Sequence, residues 1–243
     1  MDVLDDLEAE ESQLDALLAP LDADGWATPS LAVGWTVGDV VLHLAQSEEM
    51  AATAMAAPVA GRWQATEARG VDAAADRLVR AERAVPQAVL ERWRQACRAF
   101  LAAARKADPA RLVDWAGGSL KPTTLATTRL AEHWAHALDV AGALEAPYPD
   151  TDRLRHIAWL GHRTLPYAFR LAGKEPQEIS CELTAPSGAV WTFGPPTAES
   201  SIRGAAGAFC RVGAQRLRPE ESGLVVTGPH GAPALGLLRN YAA

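Results

Sequence analysis

Glu132 and His136 stand four residues apart in "RLAEHWAHALDV", Arg129 to Val140. On a helix that spacing projects both side chains from nearly one face, one turn apart. A carboxylate and an imidazole so placed can bind one divalent metal, with a third ligand supplied by another helix. His43, in "DVVLHLAQSE" (Asp39 to Glu48), is the best candidate for that ligand. It interrupts an otherwise apolar helical run and shares a face with Asp39 and Gln46, while Val37, Val41 and Leu44 point elsewhere. Three protein ligands leave positions open for water or substrate, the catalytic rather than the structural pattern. A set of two histidines and one glutamate suits zinc, iron or nickel.

The neighbours of these residues extend the reading. Arg129 and Asp139 continue the stripe of Glu132 and His136, and Leu130, Trp134, Leu138 and Ala141 form an adjacent apolar stripe that would face a core. Arg129 is a candidate catalytic residue, and Asp139 a candidate supporting carboxylate. Asp39, one turn before His43, could accept that ring's second N–H and fix its tautomer, or serve as an ordinary first-turn acid. His133, the nearest rival ligand, points about 100° around the helix from Glu132 and reads as a surface or edge residue. His156 and His162 match no ligand spacing and read as structural. His230, in "TGPHGAP", reads as an exposed turn residue. Cys97, Cys181 and Cys210 are scattered, without CxxC pairing, and read as reduced, buried and inert.

The elements that must position these groups follow from periodicity and punctuation. Residues 2–19 repeat leucines on a helical period, with acids near the start. Thr36 is an N-cap for a helix running to about Met55. Pro58 and Gly61 mark a break. A third helix is expected from Asp72 to about Lys106, interrupted or kinked at Pro86. A loop punctuated by Asp108-Pro109 and Gly117-Gly118 leads to a fourth helix, about Thr124 to Leu144. The expected fold class is therefore α+β. It has an N-terminal four-helix bundle over 1–150 and, in 151–243, one more helix (about 153–171) followed by a smaller α+β domain. There "EISCELTAP" and "AVWTFG" form a hairpin about Ser187-Gly188. Residues 198–217 read as a helix, "GLVVTG" as a strand and the last dozen residues as a short helix.

Composition excludes several function classes. A net charge of −7 over 243 residues, without a basic patch, argues against nucleic acid as a partner. No apolar run reaches the roughly 20 residues of a membrane span, and the acidic opening stretch is unlike a signal peptide, so a cytoplasmic location is expected. Neither a P-loop nor a dinucleotide fingerprint is present, nor a GxSxG elbow or HExxH.

Two segments also carry a family likeness. "GWTVGDVVLHLAQSE" and "RLAEHWAHALDV" resemble the two motifs of the mycothiol-dependent maleylpyruvate isomerase family, within the DinB-like superfamily. The part from about His156 onward, with "APSGAVWTFGP" and "GAAGAFCRVGAQR", resembles an actinobacterial metal-binding branch. The resemblance implies a DinB-like bundle carrying a divalent metal, usually zinc, on residues corresponding to His43, Glu132 and His136. It also implies mycothiol, a low-molecular-weight thiol, as cosubstrate, acidified by the metal and added to an electrophilic carbon. An arginine of the smaller domain joins the site in the isomerase. Arg216 is the best positional match, with Arg211 and Arg203 as rivals, and a guanidinium there could hold a substrate carboxylate.

These readings lead to a metal-dependent enzyme that isomerises a small electrophilic substrate or transfers a thiol to it. One alternative keeps the metal without the thiol, as a hydrolase, hydratase or isomerase. Another is a non-enzymatic metal- or ligand-binding stress protein. The expected partner is a small-molecule substrate, and the expected state a monomer or homodimer.

Overall fold

Asp2 opens the first helix, accepting the Leu4 N–H on its carboxylate at 2.9 Å, and Asp5 and Asp6 follow in the first turn, where the helix dipole favours acids. A computed structural model describes residues 2–56, 70–115 and 118–240; the break expected at Pro58 and Gly61 lies outside them, as does Gly117. Contacts divide the chain into two units, Met1–Tyr148 and Pro149–Ala242.

The first unit contains α1 (Val3–Leu18), the short α2 (Ala23–Ala27) and α3 (Val37–Ala56). Thr36 starts α3 through a reciprocal pair of bonds. Its Oγ1 accepts the Asp39 N–H at 3.2 Å, and Asp39 Oδ2 accepts the Thr36 N–H at 3.0 Å, a capping box with aspartate in the acid position. The long helix expected over 72–106 is two helices, α4 (Gly70–Ala81) and α5 (Pro86–Lys106). Pro86 occupies the first turn of α5, where its missing N–H would have had no partner anyway, so it starts a helix rather than kinking one. The expected loop before the last helix contains a two-stranded ribbon, β1 (Val113–Trp115) against β2 (Gly118–Leu120), with Val113 opposite Leu120. Strands of three residues are too short to show a period. α6 (Pro122–Ala143) completes the unit.

Leu14 and Leu18 of α1, Val40, Val41 and Leu44 of α3, Trp93 and Cys97 of α5, and Ala137 and Val140 of α6 share one buried cluster. The four long helices therefore bury their apolar stripes against one another as a four-helix bundle.

The second unit begins with α7 (Leu154–Leu171) and continues with β3 (Ile179–Thr184), β4 (Val190–Phe193), β5 (Ser200–Ala205), α8 (Ala206–Gly213), β6 (Val225–Thr227) and α9 (Gly231–Leu237). Its sheet has the order β4-β3-β5-β6, with β3 and β5 parallel and the other pairs antiparallel. The expected β3–β4 hairpin is present, and Gly188 supplies the positive φ of 85° that its turn requires. The single helix expected over 198–217 is overturned: its first part is β5, and only Ala206–Gly213 is helical. "SSIRGA" lacks the alternation of a typical strand. It is extended because it pairs on both sides, with β3 and with β6, and Gly204 at φ 143° adopts a backbone conformation closed to helix. The α+β class stands.

Candidate metal centre

α3 and α6 bring His43, Glu132 and His136 together. His43 Nε2 lies 3.9 Å and His136 Nε2 3.6 Å from Glu132 Oε2. One ligand atom from each residue lies within 4.8 Å of the other two, and the imidazole centroids are 5.1 Å apart. All three side chains remain partly open, at 18%, 27% and 13% exposure. Asp139 supports the arrangement one turn on. Its Oδ2 accepts from His136 Nδ1 at 3.0 Å, which places the ring proton on Nδ1 and leaves the Nε2 lone pair facing Glu132.

Trp35, just before α3, walls the histidines, its ring centroid 5.0 Å from that of His43 and 6.3 Å from that of His136. Its indole N–H donates to Asp76 of α4 at 3.0 Å, and Arg80 clamps the same carboxylate. Burial pushes the His43 pKa down and keeps the ring neutral. Burial alone would raise the Glu132 carboxyl, but His43, Arg129 and His136 hold it well below the usual carboxylate range. Two imidazoles and one carboxylate on a half-open face are a donor set that fits a divalent cation with room for a further ligand.

Comparison with known proteins gives the chain its relatives. Residues 7–141 match the family described as the mycothiol maleylpyruvate isomerase N-terminal domain. The chain belongs to that family. An uncharacterized protein of Mycobacterium tuberculosis, in strains CDC 1551 / Oshkosh and ATCC 25618 / H37Rv, is 40% identical over 219 residues, 87% of this chain and 84% of the relative. Crystal structures of the mycothiol-dependent maleylpyruvate isomerase share the fold. One superimposes with a TM-score of 0.59 at 19% identity, covering 94% of this chain and 92% of that one. A histidine-to-alanine variant gives 0.62 at 16% identity, covering 93% and 91%.

Within this member of the mycothiol maleylpyruvate isomerase family, the neighbours of the three residues are placed as follows. Asp39 does not orient His43: its oxygens accept from Thr36 N–H and from Arg83 Nε and Nη2, the latter at 2.8 and 2.7 Å. The first-turn acid reading describes it. Arg129 is 4% exposed, its Cζ 4.9 Å from the Trp115 ring centroid and its Nη1 3.9 Å from Glu48 Oε1. Its charge is among the influences that hold the Glu132 carboxyl low. His133 is fully buried rather than at the surface. Its Nδ1 donates to the Arg129 carbonyl and its Nε2 accepts the Trp93 indole N–H, both at 3.0 Å.

The remaining residues are placed as follows. Arg216 lies just after α8 in the second unit, its Nη1 donating to the Ala214 carbonyl at 2.7 Å. Of its rivals, Arg211 holds Asp150 bidentately at 2.6 and 2.9 Å, and Arg203 is exposed on β5. His162 donates to the Ile179 carbonyl at 2.8 Å and stacks on Phe193, a structural role. His230 is half-buried at the start of α9 rather than exposed. All three cysteines are free and buried. Among the described residues, no helix is long and apolar enough to cross a membrane.

Sequence reasoning missed Glu48, which is fully buried in α3. Burial raises its pKa to about 7, against the opposing charge of Arg129. Its signal was present: Glu48 continues the Val37, Val41, Leu44 stripe by four residues, an acid on an apolar face. His133 carries the same signal, three residues after Leu130 and four before Ala137.

Proposed function

We propose that this protein is a metal-dependent enzyme that uses a small thiol, mycothiol, to isomerise a small electrophilic substrate or to form its S-conjugate. The observation that carries the reading is the convergence of His43 and His136 Nε2 on Glu132, with Asp139 behind His136, in a chain of this family. His43, Glu132 and His136 would hold a divalent ion, with zinc as the proposed metal. Bound there, it would supply Lewis acidity that deprotonates a thiol near neutral pH.

The chain's own residues define the rest of the mechanism. Asp139 accepts from His136 Nδ1 and so orients the ring with Nε2 toward Glu132. Arg129, buried behind Glu132, favours its ionised form. Trp35 excludes water from one side of the histidine pair and presents an apolar surface to the substrate. Arg216 is proposed to hold a substrate carboxylate, on the strength of the family likeness of "GAAGAFCRVGAQR". No protein cysteine is needed as a nucleophile, in keeping with three buried thiols whose pKa values burial pushes up.

Turnover of a panel of electrophiles, with and without mycothiol, tests the proposal in metal-loaded protein. The expected result is thiol-dependent turnover that His136→Ala abolishes, together with a loss of metal affinity of more than about 100-fold, the upper end of what losing a mere supporting partner costs. Undiminished turnover in metal-free protein would sink the reading. Turnover that needs metal but not thiol would assign the site to hydrolysis or hydration.

A further inference from the structure

We propose a second metal site, sealed inside the bundle, with Glu11 of α1, Cys97 of α5 and His133 of α6 as its ligands. One ligand atom from each lies within 4.8 Å of the other two, and all three residues are buried. Cys97 Sγ is 3.7 Å from His133 Nε2. A thiolate, an imidazole and a carboxylate suit Zn2+ or Co2+, whereas Mg2+ and Ca2+ take oxygen ligands.

A separate observation points to a cation. Glu11 Oε1 is shut off from solvent without a hydrogen-bond partner of its own, the Cys97 thiol being the donor that faces the Glu11 carboxyl, and an unpaired buried carboxyl oxygen is rare in folded proteins because it loses its hydration without compensation. A divalent ion would close that account electrostatically, its two charges balanced by one thiolate and one carboxylate. As the sulfur–metal and oxygen–metal bonds form, the thiol proton and any proton on Glu11 leave to solvent.

The His133 tautomer is the one required. Its Nδ1–H donates to the Arg129 carbonyl at 3.0 Å, the backbone support commonly seen behind metal-bound histidines. Nε2 therefore carries the lone pair, now accepting the Trp93 indole N–H at 3.0 Å. Ligation exchanges that single hydrogen bond for coordination. This site is independent of the proposed activity, since it shares no ligand with His43, Glu132 and His136.

Cobalt distinguishes the two sites, because only a sulfur ligand gives an intense near-ultraviolet thiolate-to-cobalt absorption. Titrating the full-length chain with Co2+ after chelator treatment is expected to show two equivalents bound, one of them carrying that absorption. His136→Ala should lose one equivalent and keep the absorption. Cys97→Ala should abolish it, and Glu11→Gln, which keeps the sulfur, should weaken binding at this site by at least about tenfold. Circular dichroism and thermal unfolding establish that each variant is folded. No thiolate absorption in folded wild-type protein would overturn the proposal. So would an absorption that survives Cys97→Ala, which would belong to Cys181 or Cys210.

Discussion

His133 and His136 sit three residues apart on one helix, yet they meet opposite conditions. His136 is partly open, its Nδ1 held by a carboxylate and its Nε2 turned toward Glu132. His133 is sealed, its Nδ1 held by a backbone carbonyl and its Nε2 already engaged by an indole N–H. Burial drives the His133 pKa to about 3, with the nearby Arg129 charge acting in the same direction. A ligand face and a core face thus differ less in residue type than in what fills the second nitrogen. On the proposed reading the open face needs no rearrangement to take an ion, whereas the closed face must surrender a hydrogen bond to accept one.

The largest effect expected from disturbing this contrast lies at Asp139. Asp139→Ala removes the acceptor for His136 Nδ1–H and should lower metal affinity about 10–100-fold. Asp139→Asn, which still offers a carbonyl oxygen, should recover part of that loss. Competition against a chromophoric chelator measures both. Equal affinities for Asp139→Ala and wild type would mean that His136 needs no partner to stay in place.

Asp39 is the converse case, an acid one turn from a ligand that serves the fold instead. Asp39→Ala should cost about 1–2 kcal/mol of stability through the lost helix cap, the exposed Arg83 pairing adding little, and leave metal affinity unchanged. The pH dependence has a defined sign. Burial would raise this carboxyl, but Arg83 and Thr36 outweigh it and hold the folded-state pKa below 3.8. Its stabilisation is therefore complete above that value and is lost as pH falls through the folded-state value. Urea unfolding at several pH values reads this, and a wild-type-minus-variant difference that does not shrink in acid would contradict it.

Much of this division was legible in the residues. The bundle helices follow from apolar repeats and from Thr36 as a start signal, with Pro86 read as a kink where it starts a helix, and the grouping of His43, Glu132 and His136 follows from a four-residue spacing and one histidine in an apolar run. What was hidden depended on partners distant in the chain. Asp39 could be assigned to the cap only once Thr36 and Arg83 were seen to occupy its oxygens. β5 lacks a strand pattern and is extended because strands on either side pair with it. His133 was misplaced because it was measured by its angle from Glu132 rather than by its register with Leu130 and Ala137.

On the sealed face the expected effect appears as a slope. Burial, reinforced by Glu48, raises the Glu11 carboxyl from 4.5 to about 9. The folded chain then keeps a proton that the unfolded chain releases between those values, so in metal-free protein this residue erodes stability as pH rises through that window. One proton limits the erosion to about 1.4 kcal/mol per pH unit. Glu11→Gln cannot titrate and should flatten the profile, the two proteins converging at the acidic end and diverging toward alkaline pH, with the variant the more stable. Glu48 is retained in both, so its own titration largely cancels in the difference. Parallel profiles would show that Glu11 gains water or a donor as it ionises, and the sealed face would then be more like the open one than its geometry suggests.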